Sequence, residues 1–246
     1  MAAKSEVIGL YIHIPKTGGT SLKSVLDKFP NNVLTENSDI YRRSPLFYNE
    51  FLSVVNFKLS RTENTKNVLG ENLFNSLWKV AIVRNPWDRY VSNWKWLTRK
   101  EKTYPKKGWK SRGWTGEDGR VSFDDFVKQM DWCYKNAPIH QYQHDKWHIR
   151  NQIEHIIDHK TGKIMVDHVG RFERLDEEFK FICEKIGIDA NLPHLNHSGH
   201  YSGDVVRHDP IKIHYSNYYN QELIDIVAER CKQDIETFGY DYENLC

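Results

Sequence analysis

An α/β fold, built on a P-loop-like parallel β-sheet with helices on both faces, is predicted by three observations. Residues 7–14 (VIGLYIHI) and 78–83 (WKVAIV) are short apolar runs rich in β-formers, and both read as buried strands. Each run ends abruptly in a turn signal and passes into a helical pattern. A third run, residues 163–172 (KIMVDHVGRF), follows the Lys160-Thr161-Gly162 turn and precedes an amphipathic stretch over 175–186. Strands alternating with helices imply parallel pairing through crossover connections.

The first strand stops at Pro15, and Lys16, Thr17, Gly18, Gly19, Thr20 and Ser21 follow it. Leu22, Val25 and Leu26 then begin a helical pattern. Residues 31–41 are polar and read as a loop, residues 47–59 as a helix passing into a strand, and residues 63–77 as a helix. After the second strand, Asn85 is placed to cap a helix and Pro86 to occupy its first turn. Residues 94–119 are basic, aromatic and glycine-containing, and read as a long insertion. A helical region begins at Phe123 and runs, with interruptions, to about His159. Gly187 stops the helix over 175–186, residues 191–213 form a loop, and a closing helix spans 220–238. No repeat or low-complexity tract interrupts residues 1–246, which read as one domain carrying the insertion.

The 246 residues include 39% hydrophobic and 28% charged side chains, a soluble globular composition. A net charge of +2 does not require nucleic acid as a partner, so any anion preference is local. Cys133, Cys183, Cys231 and Cys246 are far apart with no CxxC, which signals neither a zinc site nor a disulfide framework. No run approaches the ~20 apolar residues that span a bilayer. The apolar start is short, contains His13 and lacks a small-residue cleavage site. The expectation is a cytoplasmic protein without membrane contact.

The loop over 15–21 has the chemistry of a phosphate cradle. Adjacent glycines let backbone N–H groups approach a ligand closely, and the helix N-terminus adds donors and a positive dipole end. Thr20 and Ser21 supply hydroxyls and Lys16 a cation. It is not a Walker loop, because here the lysine precedes the glycines. Arg84 stands at the end of the second strand, where ligands gather in open α/β sheets. Ser92 lies about two helical turns past the cap and can return to the same face as Arg84. An arginine and a serine converging there can hold another phosphate. Two cradles at two strand ends imply a ligand with two separated phosphates.

Ile14-Pro-Lys-Thr-Gly-Gly-Thr-Ser21 together with Val83-Arg-Asn-Pro-Trp-Asp-Arg-Tyr-Val-Ser92 resembles the sulfotransferases that use 3′-phosphoadenosine 5′-phosphosulfate (PAPS). The pattern is most similar to the branch containing carbohydrate sulfotransferases and their bacterial relatives. The similarity extends to Gly170-Arg-Phe-Glu173, Leu192-Pro-His-Leu-Asn196 and the closing Asp234-Ile-Glu-Thr-Phe-Gly-Tyr240. The resemblance implies the sulfotransferase fold, with Lys16, Thr17, Gly18, Gly19, Thr20 and Ser21 on the 5′-phosphosulfate and Arg84 and Ser92 on the 3′-phosphate. It puts Phe172 at the adenine, and the loop from Asn196 to Ser198 over the nucleotide. It also implies transfer of a sulfuryl group to a hydroxyl or amine of a carbohydrate or small-molecule natural product, leaving PAP. Lys16 would neutralise the bridging oxygen as the S–O bond breaks. The transferred group carries less charge than a phosphoryl group, so no metal is required.

The general base has two candidates. Relatives place a His or Glu about twenty residues before the 3′-phosphate arginine, and Glu63 is the only such group in that segment here; alternatively it opens a surface helix. His140, His144 and His148 recur at i, i+4, i+8 on one face of a possible helix, and His144 is the candidate there. That row is also compatible with a metal site, though no HExxH glutamate accompanies it, or with a packed or solvated face.

Within the insertion, residues 95–112 carry eight lysines and arginines against one acid, Glu101, interleaved with tryptophans. It reads either as a lid that stacks on a sugar and attracts an anionic acceptor, or as a solvated loop anchored by tryptophan. Contact with nucleic acid is not expected. Two other functions stay open. One is a P-loop nucleotide kinase, against which stand the lysine order and the lack of an acidic second-strand end. The other is a domain that binds PAP or an anionic glycan without turnover.

Overall fold

In the computed structural model, the described residues are 7–42, 60–99, 121–136, 148–193 and 213–243. They fall into two compact units, one within residues 7–84 and 152–193, the other within residues 85–136, 148–151 and 213–243.

The first unit holds the sheet. Strands β1 (Gly9–Ile12), β2 (Val33–Leu34), β3 (Trp78–Val83) and β4 (His168–Arg171) pair in the order β2-β1-β3-β4, every pair parallel. The fold is therefore α/β with a parallel sheet flanked by helices. β1 pairs with β2 on one side and with β3 on the other, and the chain crosses over between them. The order thus reverses between β1 and β3, and their carboxyl ends flank the switch point at which open sheets bind ligands.

The interior of this unit follows from the apolar runs. Tyr11, Val80 and Ile82 of the sheet pack with Leu22, Val25 and Leu26 of α1 (Gly19–Leu26). Fully burying a leucine such as Leu22 or Leu26 stabilises a fold by ~2 kcal/mol. Lys79 ties β3 to the segment entering β4. Its backbone N–H donates to Asp167 Oδ2 at 2.7 Å, and its ammonium lies 3.0 Å from the same oxygen.

Several boundaries differ from the sequence reading. The stretch over 31–41 contains β2 and a short helix, α2 (Asp39–Arg42), because Val33 and Leu34 extend the sheet beside Gly9 and Leu10. The helix read over 63–77 is two helices, α3 (Arg61–Leu69) and α4 (Glu71–Ser76), broken at Gly70, whose φ is 80°. The third predicted run becomes strand only at His168, after an antiparallel bridge between Ile157 and Ile164. Phe172 then opens a 3-10 turn (Phe172–Arg174) leading into α7 (Leu175–Ile186), while α5 (Pro86–Arg99) and α6 (Phe123–Asn136) belong to the second unit. Residues 47–59 have only their last neighbour, Ser60, among the described residues.

Ser60 caps α3 in a capping box. Its hydroxyl accepts from Glu63 N at 3.0 Å, and its own N–H donates to Glu63 Oε2 at 2.7 Å. Ser60→Ala is expected to lower stability by about 1 kcal/mol in urea titration, and a loss under about 0.3 kcal/mol would contradict the cap.

In the second unit, Asn85 caps α5 (Pro86–Arg99) as its type predicts, with Oδ1 accepting from Trp87 N at 3.0 Å. No glycine or proline stops α5 early, so Trp94 and Trp96 are helical and not part of an irregular insertion. Trp94 donates its indole N–H to Val121 O at 2.9 Å and meets Phe123 edge-on. α6 (Phe123–Asn136), α8 (Gln221–Arg230) and α9 (Lys232–Phe238) complete the unit; the closing helix is interrupted at Cys231. Phe126, Val127, Met130 and Val227 are buried with Trp87 and Tyr90 in its core. Arg89, buried among them, donates to Arg150 O at 2.8 Å and His148 O at 2.9 Å. Cys133, Cys183 and Cys231 are buried and in no disulfide. Among the described residues, no helix is long and apolar enough to cross a membrane.

Candidate active site

The loop between β1 and α1 has the backbone of an anion cradle. Lys16, a non-glycine residue, has a φ of 70°, and Gly18 a φ of 81°, with Thr17 between them on the ordinary negative side. Such alternation turns successive N–H groups towards one concavity. Gly18 is the N-cap of α1 and no side chain caps that end; the first turn carries no acid. The donors and dipole of the helix end are thus available to an anion. Left-handed geometry at Lys16 costs roughly 1–2 kcal/mol, which persists only where surrounding contacts hold it.

Those contacts come from β3 and β4. Arg84, one residue past β3, donates from Nη1 to Lys16 O at 3.2 Å. Its guanidinium carbon stands 4.1 Å from the centroid of the Phe172 ring, a cation–π stack. A Cβ built on Gly18 would lie 3.0 Å from Phe172 and 2.9 Å from Leu175, so the loop packs directly on that wall. Lys16, Gly18, Arg84 and Phe172, far apart in sequence, therefore meet at the carboxyl ends of β1, β3 and β4. Gln152, which sequence reasoning did not find, fixes the backbone of Arg84. Its Oε1 accepts from Arg84 N at 2.8 Å and its Nε2 donates to Arg84 O at 2.8 Å. The side chain imitates a neighbouring strand, and no local pattern announces such a role.

The hydroxyls divide their labour. Thr17 is buried and donates to Ile14 O at 2.9 Å, so its side chain braces the turn. Thr20 is exposed, while Ser21 is buried in the first turn of α1. Ser92 lies half-buried on α5 in the second unit. Asn196, Ser198, His140 and His144 lie outside the described residues, as does the insertion from residue 100 onward.

On the other side of the loop stands a charged cluster that the sequence did not reveal. His13, just beyond β1, faces Gly19: a Cβ there would lie 2.1 Å from the ring, so only glycine fits. His13 Nδ1 is 3.2 Å from Glu36 Oε1, Arg61 Nη1 is 2.5 Å from Glu36 Oε2, and Lys23 also binds Glu36. Burial pushes the Glu36 pKa up, but Arg61, His13 and Lys23 together hold it far below the carboxylate range. A depressed pKa gives stability that is present above the unfolded value and lost on acidification. The gap in stability between wild type and Glu36→Gln is therefore expected to be full at neutral pH and to shrink as pH falls below about 4.5, followed by thermal melts across pH. A pH-independent gap would contradict this.

Glu63 has the helix-opening geometry, not an open one. Besides the cap, Oε1 accepts from His159 N at 3.0 Å and Oε2 lies 2.6 Å from His159 Nδ1. Burial raises its pKa, but these donors and Ser60 N outweigh it and lower the value overall. His148 is buried, and its ring stacks on Trp96 at 4.8 Å. Among the described residues, no group of three or more His, Cys, Asp or Glu is arranged to hold a metal ion.

The geometry gathers Lys16, Gly18, Arg84 and Phe172 at the switch point of a parallel α/β sheet. A family model described as "Sulfotransferase family" matches residues 3–241, and the chain belongs to that family. It is 27% identical over 127 residues to an uncharacterized protein of Archaeoglobus fulgidus, covering 52% of this chain and 82% of the relative. No solved structure matches the chain.

Proposed function

We propose that this protein transfers a sulfuryl group from PAPS to a hydroxyl or amine of a carbohydrate or small-molecule natural product. The convergence of Lys16, Arg84 and Phe172 on one rim carries the reading. A donor set of backbone N–H groups, Lys16 and Ser21 fits a phosphosulfate, and an arginine on an aromatic wall fits a phosphate beside a nucleobase. The donor, when bound, supplies an activated sulfuryl group on a phosphate leaving group. The residues of the loop orient that end, Lys16 balances charge at the bridging oxygen, and Arg84 holds the 3′-phosphate. Arg84 also secures the Lys16 carbonyl, so nucleotide binding and the pose of the lysine are coupled. A cytoplasmic setting suits the three buried thiols.

Labelled PAPS offered with a mixture of sugars, amino sugars and phenols tests the reading. Label is expected in at least one acceptor, with PAP formed in equal amount. PAP binding without release of label would instead support a non-catalytic binder.

A further inference from the structure

The geometry points to His13 as the acceptor-side base of the reaction proposed above, with Glu36 as the residue that positions it; this inference rests on that reading. The two glycines of the loop face different walls. Gly18 lies against Phe172 and Leu175, and Gly19 lies against His13. A donor whose adenosine end occupies the Phe172 and Arg84 wall leaves the His13 wall to the acceptor. Strand alternation produces this arrangement: Ile12 and Ile14 turn into the core, and His13 turns out between them, half-buried.

The hydrogen bonding then fixes which ring nitrogen is basic. Glu36 is ionised, bound by Arg61 and Lys23, and an ionised carboxylate can only accept. A neutral His13 must therefore carry its proton on Nδ1, facing Glu36 Oε1 at 3.2 Å. The lone pair is left on Nε2, and a Cβ at Gly19 would stand 2.2 Å from that atom, so Nε2 borders the first residue of α1. Burial lowers the His13 pKa, which keeps the resting imidazole neutral. The groups around it are Glu36, which favours the imidazolium, Arg61 and Lys23, which oppose it, and the Tyr11 ring at 6.3 Å. This is the orienting logic of a carboxylate–histidine pair.

In the step, the acceptor oxygen or nitrogen forms its bond to sulfur while its proton passes to His13 Nε2. The bond from sulfur to the 5′-phosphate oxygen breaks, and its electron pair stays on that oxygen, beside Lys16. The products are the sulfated acceptor, PAP and an imidazolium paired with Glu36, which later returns its proton to water. Glu63 has both oxygens engaged, by its own helix cap and by His159.

The test combines His13→Asn and Glu36→Gln with three readouts: total release of label from PAPS to the acceptor mixture or water, PAP calorimetry, and long-range 15N–1H spectra of the imidazoles. His13→Asn is expected to lower kcat about a hundredfold while PAP affinity stays within about threefold. Wild-type spectra are expected to show His13 as the Nδ1–H tautomer at pH 7. Glu36→Gln should move the acid limb of the kcat profile to lower pH, since losing the carboxylate disfavours the imidazolium. Turnover of His13→Asn within threefold of wild type overturns the proposal. So does a parallel loss of turnover and PAP affinity, which marks a packing role, or an Nε2–H tautomer. Failure of wild-type protein to bind PAP would instead count against the sulfotransferase reading itself.

Discussion

Lys16→Ala is expected to lower kcat about a hundredfold, a loss of roughly 3 kcal/mol of transition-state stabilisation, with the affinity for intact PAPS much less affected. The asymmetry follows from where charge develops. The bridging oxygen gains negative charge only as the S–O bond breaks, so a cation aimed there contributes little to binding intact PAPS and most to the transition state and the departing PAP. Substitution by alanine isolates this effect because Lys16 already has a φ of 70°. Neither lysine nor alanine is comfortable there, and the backbone strain largely cancels between wild type and variant. Lys16→Arg, which keeps the charge, should recover part of the rate. A Lys16→Ala rate within threefold of wild type would remove the lysine from the chemistry.

Arg84→Ala is expected to weaken PAP binding about thirtyfold or more, in keeping with ~2 kcal/mol for a charge-assisted bond to phosphate. Two effects add. The guanidinium stacked on Phe172 is lost, and so is the bond to Lys16 O that helps hold the left-handed turn. The variant should therefore lose kcat as well as affinity, whereas a purely electrostatic contact would cost affinity alone. ADP, which lacks the 3′-phosphate, should bind wild type and variant more nearly alike. Equal losses for PAP and ADP would show that Arg84 serves the loop and not the 3′-phosphate.

Much of the frame was legible because its signals are local. β1 and β3 are continuous apolar runs, Asn85 caps where its type predicts, and Lys16 precedes the glycines at a strand end. β2 was not legible, because two residues in a polar stretch become a strand only by pairing with Gly9 and Leu10. The candidate site was legible as a loop and an arginine at two strand ends, but not in what joins them. The stack of Arg84 on Phe172 and the grip of Gln152 on the Arg84 backbone link residues distant in sequence. Glu63 illustrates the converse. Its place in the sequence was open to a base or to the opening of a surface helix, and the structure has both of its oxygens engaged at that helix end. His13 is not announced by the sequence, because one histidine in an apolar strand carries no pattern; its contacts with Gly19 and Glu36 underlie the role proposed above.

Calorimetry of the wild-type protein with PAP, beside ADP at the same concentrations, tests the central claim most directly. The account predicts saturable one-site binding of PAP, at least tenfold tighter than ADP, and loss of that preference in Arg84→Ala. No heat with PAP, or equal affinity for the two nucleotides, would contradict it.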